Sequence, residues 1–357
     1  MPPGAAVRPA PAVPRALPRL AAARIAGIGI HLPETVRSTA ETEQRLRSEN
    51  RGLRLPTGLI RRMTGVESVH VKAAGEQASD LAAAAARRAL AESPGAVDLV
   101  LFASASQDLV EPATSHIVAA KLGPELLGVG TPVMDVKNAC NSVVNAVQVG
   151  EALIRSGQYR RVLVASGETP SVAVRWRVRD AAQFLRSFPG YTMSDGGAAL
   201  VLEASDDPSV GIVDLDFHAV SRHWAIGTLP GGGSLRPRDE EATYFDMDGA
   251  ALQAAFLELG PEPVLRFLAR NGLDWGDVDL VAIHQVAAPF LPPVFERLGV
   301  PADRSVVTVT EHGNLASATL LLQLARARER GMIGPGSTAL LIGLAGGISL
   351  GLVLVRM

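Results

Sequence analysis

The sequence predicts an α/β protein built from two copies of one strand–helix module. Three observations carry that reading. An apolar strand motif occurs twice, as Val97-Asp98-Leu99-Val100-Leu101-Phe102 and as Val278-Asp279-Leu280-Val281-Ala282-Ile283. Each copy leads to a Gly-Gly turn and a last apolar strand, at Gly196-Gly197 and at Gly346-Gly347. The strand segments lack clean polar alternation, the pattern of sheets covered on both faces.

In the first copy a helical stretch, Asp80 to Ala91, precedes the repeated strand. A second strand, Pro132 to Val136, then runs into a polar turn and a small-residue helix from Cys140 to Ser156. Strands Arg161 to Ala165 and Ala198 to Leu202 close the module. The counterparts in the second copy are the helix Pro263 to Asn271, the strand Ser305 to Val309, the helix Leu315 to Arg330, and the strands Thr338 to Leu344 and Ser349 to Val355. Matched modules of this kind predict a pseudo-symmetric architecture with halves at residues 24–205 and 206–357. The segment Pro170 to Tyr191, with Trp176, interrupts the first half as a helical or loop insertion. Gly231 to Glu241, rich in Gly, Pro and alternating charge, reads as a mobile loop.

The two ends need separate reading. Residues 1–23 are rich in Ala, Pro and Arg, with no acidic residue before Glu34. Scattered prolines and short apolar stretches favour a disordered extension over a targeting segment. Thr338 to Val355 carries no charge over 18 residues, the lower edge of a membrane-helix length. Gly343, Gly346, Gly347 and Gly351 interrupt it, so two buried strands joined by a glycine turn are expected, and no membrane span.

A chain of 357 residues has room for roughly two domains of ~150 residues. With 47% hydrophobic and 20% charged residues it has the composition of a folded chain with a large core. A net charge of -2 removes the long-range attraction that a dedicated nucleic-acid binder relies on. The single cysteine, Cys140, excludes an intramolecular disulfide and a multi-cysteine metal site. A reducing, cytoplasmic setting is the simplest expectation.

In a duplicated α/β protein the equivalent turns of the halves meet near the pseudo-twofold axis. There the first half offers Asp135-Val136-Lys137-Asn138-Ala139-Cys140-Asn141-Ser142. The second offers Glu311-His312-Gly313-Asn314-Leu315-Ala316-Ser317, and one strand earlier Ile283-His284-Gln285. A cysteine at a helix N-terminus faces free N–H groups and the positive end of the helix dipole, both of which favour the thiolate. A thiolate attacks thioesters and retains the acyl group as another thioester. Neutral donors, such as His284 and the Asn314 amide, stabilise an enolate as it forms. Taken singly, Cys140 reads as buried core, His284 as a satisfied buried histidine and Asn314 as a turn residue or cap. Residue reasoning alone leaves an acyl-cysteine enzyme and these structural roles both open.

At these residues the sequence resembles the thiolase-fold condensing enzymes, of the β-ketoacyl carrier-protein synthase III type. The motifs around Cys140, His284-Gln285, Gly313-Asn314 and Gly346-Gly347 carry the likeness. Ile25-Ala26-Gly27-Ile28-Gly29, His31-Leu32-Pro33, Thr57-Gly58-Leu59-Ile60-Arg61-Arg62 and Asp195-Gly196-Gly197-Ala198-Ala199 extend it over residues 24 to 357. The resemblance implies a five-layered αβαβα thiolase fold, a homodimer and a ping-pong reaction. It implies that Cys140 accepts the acyl chain, that His284 and Asn314 serve the second half-reaction, and that the backbone N–H groups of Cys140 and Gly346 form an oxyanion hole. No resident cofactor or metal is implied; acyl-coenzyme A or acyl carrier protein thioesters are the substrates.

Two departures narrow the likeness. His284-Gln285 continues as Val286-Ala287-Ala288-Pro289 rather than Ala-Asn, and no tryptophan precedes Thr57-Gly58. The stretch Gln107-Asp108-Leu109-Val110-Glu111-Pro112 resembles the branch that joins two acyl thioesters without a malonyl group, in olefin biosynthesis and in pyrone- or resorcinol-forming ketosynthases. By that resemblance Glu111 reaches across the dimer as a base; its ordinary reading is a solvated loop acid. The departures point to fatty-acid-derived or polyketide natural products rather than bulk lipid synthesis. Arg175, Arg177, Arg179 and Arg186 offer a docking patch for an acidic carrier protein, or simply a solvated face. Two competing functions remain: transfer of a Cys140-bound acyl group to an oxygen or nitrogen nucleophile, and a non-catalytic binding role, against which the intact Cys140, His284 and Asn314 set speaks.

Overall fold

The computed structural model describes residues 23–207 and 209–357. The extension expected at residues 1–23 therefore lies, apart from Ala23, outside the described residues. The first half contributes strands β1 (Ala23–His31), β2 (Val36–Ser38), β3 (Ser68–His70), β4 (Leu99–Ala103), β5 (Val133–Val136), β6 (Arg161–Glu168) and β7 (Gly196–Ala204). The second contributes β8 (Gly211–Ala219), β9 (Gly227–Thr228), β10 (Asp246–Met247), β11 (Leu280–Ile283), β12 (Thr338–Ala345) and β13 (Ser349–Arg356).

Two sheets dominate. The first runs β1-β7-β6-β4-β5 and the second β11-β12-β13-β8. The repeat in the sequence becomes a repeat in register. β4 lies parallel to β6, which pairs antiparallel with β7; β11 lies parallel to β12, which pairs antiparallel with β13. Strands β4 and β6, inside the first sheet, and β11, at the edge of the second, are buried along their whole length, which explains their lack of alternation.

Layering follows from where apolar faces find partners. The helices Ser142–Arg155 and Thr319–Glu329 share one core with strand residues from both sheets, so they form the middle layer. The helices Ala78–Glu92 and Thr114–Leu122 cover the outer face of the first sheet. Glu262–Arg270 and Leu291–Leu298 cover that of the second. The five-layered αβαβα thiolase architecture is thus the one expected. The alanine-rich helix at Ala78–Glu92 sits very close to its sheet: a Cβ on Gly167 would lie 1.8 Å from the Ala78 carbonyl oxygen.

Several expectations hold with adjusted limits. Thr338 to Val355 folds as the β12–β13 hairpin, and among the described residues no helix is long and apolar enough to cross a membrane. The insertion Pro170 to Tyr191 is helical, with a helix at Ala181–Ser187 and 3-10 turns at Pro170–Ala173 and Phe188–Thr192. It packs Phe184 and Tyr191 on Leu46 and Ile60. Gly231 to Glu241 runs as turns, ending in the 3-10 turn Glu240–Thr243.

One expected strand is absent. Ser305 to Val309 joins no ladder, and the second sheet has four strands. The fully buried Gln285 side chain takes the ladder's place. Its Nε2 donates to the Val306 carbonyl at 2.8 Å, and its Oε1 accepts from the N–H groups of Thr308 at 2.9 Å and Val309 at 3.1 Å. With three of its backbone groups satisfied by one amide, the segment turns directly into the short helix Val309–His312.

Candidate active site

The chain leaves β5 at Val136 and makes a tight turn before the central helix. Ala139 has φ +46°, in the left-handed region that a non-glycine residue enters at a cost of about 1–3 kcal/mol. The turn is held by Ser142, whose hydroxyl accepts from the Asn138 N–H at 2.9 Å and donates to the Ala139 carbonyl at 2.7 Å. Asn141, fully buried, donates to the Ser349 hydroxyl at 2.9 Å and carbonyl at 3.1 Å, tying the cysteine turn to β13 of the other half. The helix expected from Cys140 therefore begins at Ser142, with Asn141 as its cap.

The second half repeats the device. Ala316 has φ +47°, and the helix expected from Leu315 begins at Thr319 after a 3-10 turn at Ala316–Ala318. Ser317 follows Ala316 as Cys140 follows Ala139, so it is the cysteine's pseudo-symmetric counterpart. Asn314 is buried at the head of this turn. Its N–H donates to the Thr192 carbonyl and its carbonyl accepts from the Ser194 N–H, both at 2.9 Å. Its Oδ1 accepts from the Ala316 N–H at 2.9 Å, which leaves the Nδ2 hydrogens as the group it can offer. Gly313 makes this docking possible: its φ is +68°, and a Cβ there would lie 2.7 Å from the Thr192 carbonyl oxygen.

His284 continues the β11–β12 pairing, its N–H donating to the Ile342 carbonyl at 2.9 Å. The ring is buried, Nδ1 has no partner among the described residues, and burial lowers its pKa to about 4. It is therefore a neutral imidazole near pH 7, able to donate from one nitrogen without bringing a charge. Gly346 opens the turn after β12, three residues before the Ser349 that Asn141 grips.

The thiol of Cys140 departs from the expectation. Burial, and after it the charge of Glu168, push it up to about 12. The helix N-terminus favours thiolate, but Cys140 lies outside the N-cap and its desolvation outweighs that help. Glu168, at the end of β6, is itself almost fully buried and was not singled out by sequence reasoning. A carboxylate closing the strand that holds the apolar run Val162 to Ala165, at the C-terminal edge of a sheet, was the available signal.

Glu111 lies elsewhere. It is exposed on the loop before the helix Thr114–Leu122, beside the exposed Leu109 and Val110. One protomer gives it no described hydrogen bond or ion pair to Cys140, His284 or Asn314. Of the four arginines of the insertion, Arg175 pairs with Glu241 at 2.6 Å, Arg177 with Glu49 at 3.4 Å, and Arg186 with Asp246. Those pairs neutralise most of the charge expected of a docking patch.

Comparison with known proteins agrees with this geometry. Residues 134–221 match the family described as 3-oxoacyl-[acyl-carrier-protein (ACP)] synthase III, and residues 268–357 match its C-terminal family. The beta-ketoacyl-[acyl-carrier-protein] synthase III of Rhodospirillum rubrum is 33% identical over 340 residues, covering 93% of this chain and 98% of its own. That of Dinoroseobacter shibae is 33% identical over 339 residues, with the same coverage. Among solved structures, 3-oxoacyl-(acyl carrier protein) synthase III of Pseudomonas aeruginosa superposes with a TM-score of 0.81 at 28% identity, over 94% of this chain and 98% of its own. Cerulenin-bound OleA of Xanthomonas shares the fold, with a TM-score of 0.84 at 22% identity over 95% of this chain and 98% of its own. The duplicated fold, the paired turns and these likenesses together place the chain in the β-ketoacyl-[acyl-carrier-protein] synthase III family of condensing enzymes, within the acyltransferase class.

Proposed function

We propose that Cys140 takes an acyl group from a thioester and that this group is then joined to a second acyl thioester by Claisen carbon–carbon bond formation. The observations that carry the reading are a buried, uncharged His284 and a buried Asn314 whose Oδ1 is taken by the Ala316 N–H, leaving its Nδ2 hydrogens to offer. Two neutral donors suit an enolate, whose charge they stabilise only as it develops. In the first step the Cys140 sulfur bonds to the acyl carbon, the carbonyl oxygen gathers charge at the Cys140 and Gly346 N–H groups, and the departing thiolate takes a proton. In the second the enolate carbon bonds to that acyl carbon, the carbon–sulfur bond breaks, and Cys140 leaves as thiolate.

Glu111 serves as the base that removes the α-proton of the second thioester, acting across a homodimer. Its exposure in one protomer, beside exposed Leu109 and Val110 and near the edge strand β5 with exposed Met134, supports that arrangement. Acyl carrier protein or coenzyme A delivers the chains, in a cytoplasmic route to fatty-acid-derived or polyketide products.

The test is intact-protein mass spectrometry with a panel of acyl-coenzyme A and acyl-carrier-protein thioesters, beside Cys140→Ala. A mass increase of one acyl chain, lost in the variant, is expected. No adduct from any donor refutes the reading. A product that is an ester or amide, without a new carbon–carbon bond, would replace the Claisen step by acyl transfer to oxygen or nitrogen.

A further inference from the structure

The two N–H groups assigned above to the oxyanion hole belong to different halves. That of Cys140 lies in the turn after β5. That of Gly346 follows Ala345, whose register partner across the β12–β13 turn is Ser349. Two separately folded turns must therefore be set within reach of one oxygen atom. The hairpin closes over only Gly346, Gly347 and Ile348, so whatever holds Ser349 also holds the strand end from which the Gly346 N–H issues.

Asn141 is the side chain that joins them. It follows Cys140 directly and is fully buried, and its Nδ2 donates to the Ser349 hydroxyl at 2.9 Å and to the Ser349 carbonyl at 3.1 Å. That carbonyl can only accept, so the amide nitrogen must face it. Oδ1 then lies buried with no partner among the described residues, against Gly343 of β12, where a Cβ would stand 2.1 Å from it. Leaving an amide oxygen unsatisfied costs about 1–3 kcal/mol, which packing alone does not call for. Nor does the turn require this amide. Ala316 repeats the left-handed backbone of Ala139, and there the place of Asn141 is taken by Ala318, which has no group to bridge with.

We propose that Asn141 is a positioning residue: by gripping Ser349 it sets the separation of the Cys140 and Gly346 N–H groups, and so their hold on the oxygen that gathers charge during acyl transfer. The inference rests on the reading of Cys140 as the nucleophile and of those two N–H groups as the oxyanion hole. Such donors act only as the charge develops. Moving one of them by about 1 Å slows the chemical step, on the order of a hundredfold, and leaves thioester binding as it was.

Two reactions at one sulfur test this, because Cys140 is the only cysteine in the chain. Acyl uptake passes through a charged oxygen. Alkylation by iodoacetamide forms a carbon–sulfur bond as iodide leaves, and no oxyanion arises. Both rates would be followed by intact mass for the wild type, Asn141→Ala, Ser349→Ala and Ser349→Thr, with uptake measured over a range of acyl-thioester concentrations. In Asn141→Ala the maximal uptake rate should fall on the order of a hundredfold at an unchanged half-saturating concentration, while alkylation is not slowed. Ser349→Ala, which leaves the carbonyl for Asn141, should show a smaller fall of the same kind, and Ser349→Thr, which keeps the hydroxyl, should restore it. The serine variants carry the test alone should Asn141→Ala fail to fold. Uptake at the wild-type rate in the variants, or uptake and alkylation slowed together, overturns the proposal and leaves the acyl-cysteine reading standing. No uptake by the wild type from any donor would remove that reading, and this inference with it.

Discussion

Replacing Gln285 by methionine is the most demanding test of how the second half holds its site. The side chain keeps its volume and loses its amide, so packing is nearly conserved while the hydrogen bonds go. Three buried backbone groups lose their partner: the Val306 carbonyl and the N–H groups of Thr308 and Val309. Each unsatisfied buried group costs about 1–3 kcal/mol, and partial relaxation brings the sum to about 3–6 kcal/mol. That is a large share of the ~5–15 kcal/mol by which folded proteins are stable. Urea unfolding of the wild type and Gln285→Met, at equal slope, would give the difference. The function should split as well. The loosened segment leads through Val309–His312 to Asn314, whereas the Cys140 turn is held by Ser142 and Asn141. Acyl uptake by Cys140 should persist while condensation falls. A loss below about 1 kcal/mol, or equal losses in uptake and condensation, would refute the argument that one amide replaces a strand.

Two further outcomes follow from the site. His284 has its folded pKa lowered to about 4, below the ordinary 6.5, so the unfolded chain takes the proton first. Its contribution to stability is complete above about pH 7 and is lost as pH falls from 6.5 toward 4, by about 2 kcal/mol at pH 5. Other groups titrate in the same window, so the measurement is a difference: His284→Gln should gain about 2 kcal/mol on the wild type between pH 7.5 and pH 5 in urea unfolding. A gap that stays constant with pH would show that His284 is not held neutral by burial. For Glu111→Gln, acyl uptake at Cys140 should be unchanged while condensation of two non-malonyl thioesters is lost, measured as product by mass spectrometry; full condensation would remove Glu111 as the base.

The duplication, the apolar strands and the order of the elements were legible in the sequence because they rest on local periodicity. So were the places of Cys140, His284 and Asn314 in the chain, where strands end and turns begin. Ser305 to Val309 misled for the same reason: it has the composition of a strand, and composition does not say which hydrogen-bond partner reaches it. Gln285, next to the histidine that drew attention, supplies that partner from across the sheet edge. Exposure was equally hidden. The insertion's arginines look like an open basic patch until Glu49, Glu241 and Asp246, remote in sequence, come to lie beside them.

By itself, then, the sequence determined the architecture and where the candidate side chains stand along it, since hydrophobic pattern and turn residues act over a few positions. Tertiary structure alone decided their electrical state. It buried His284 until it was neutral, desolvated Cys140 until its thiol resisted ionisation, and set Glu168 of one half into the hydroxyls of the other. Those outcomes depend on the loss of water and on distances between charges, and both exist only once the two halves have closed on each other.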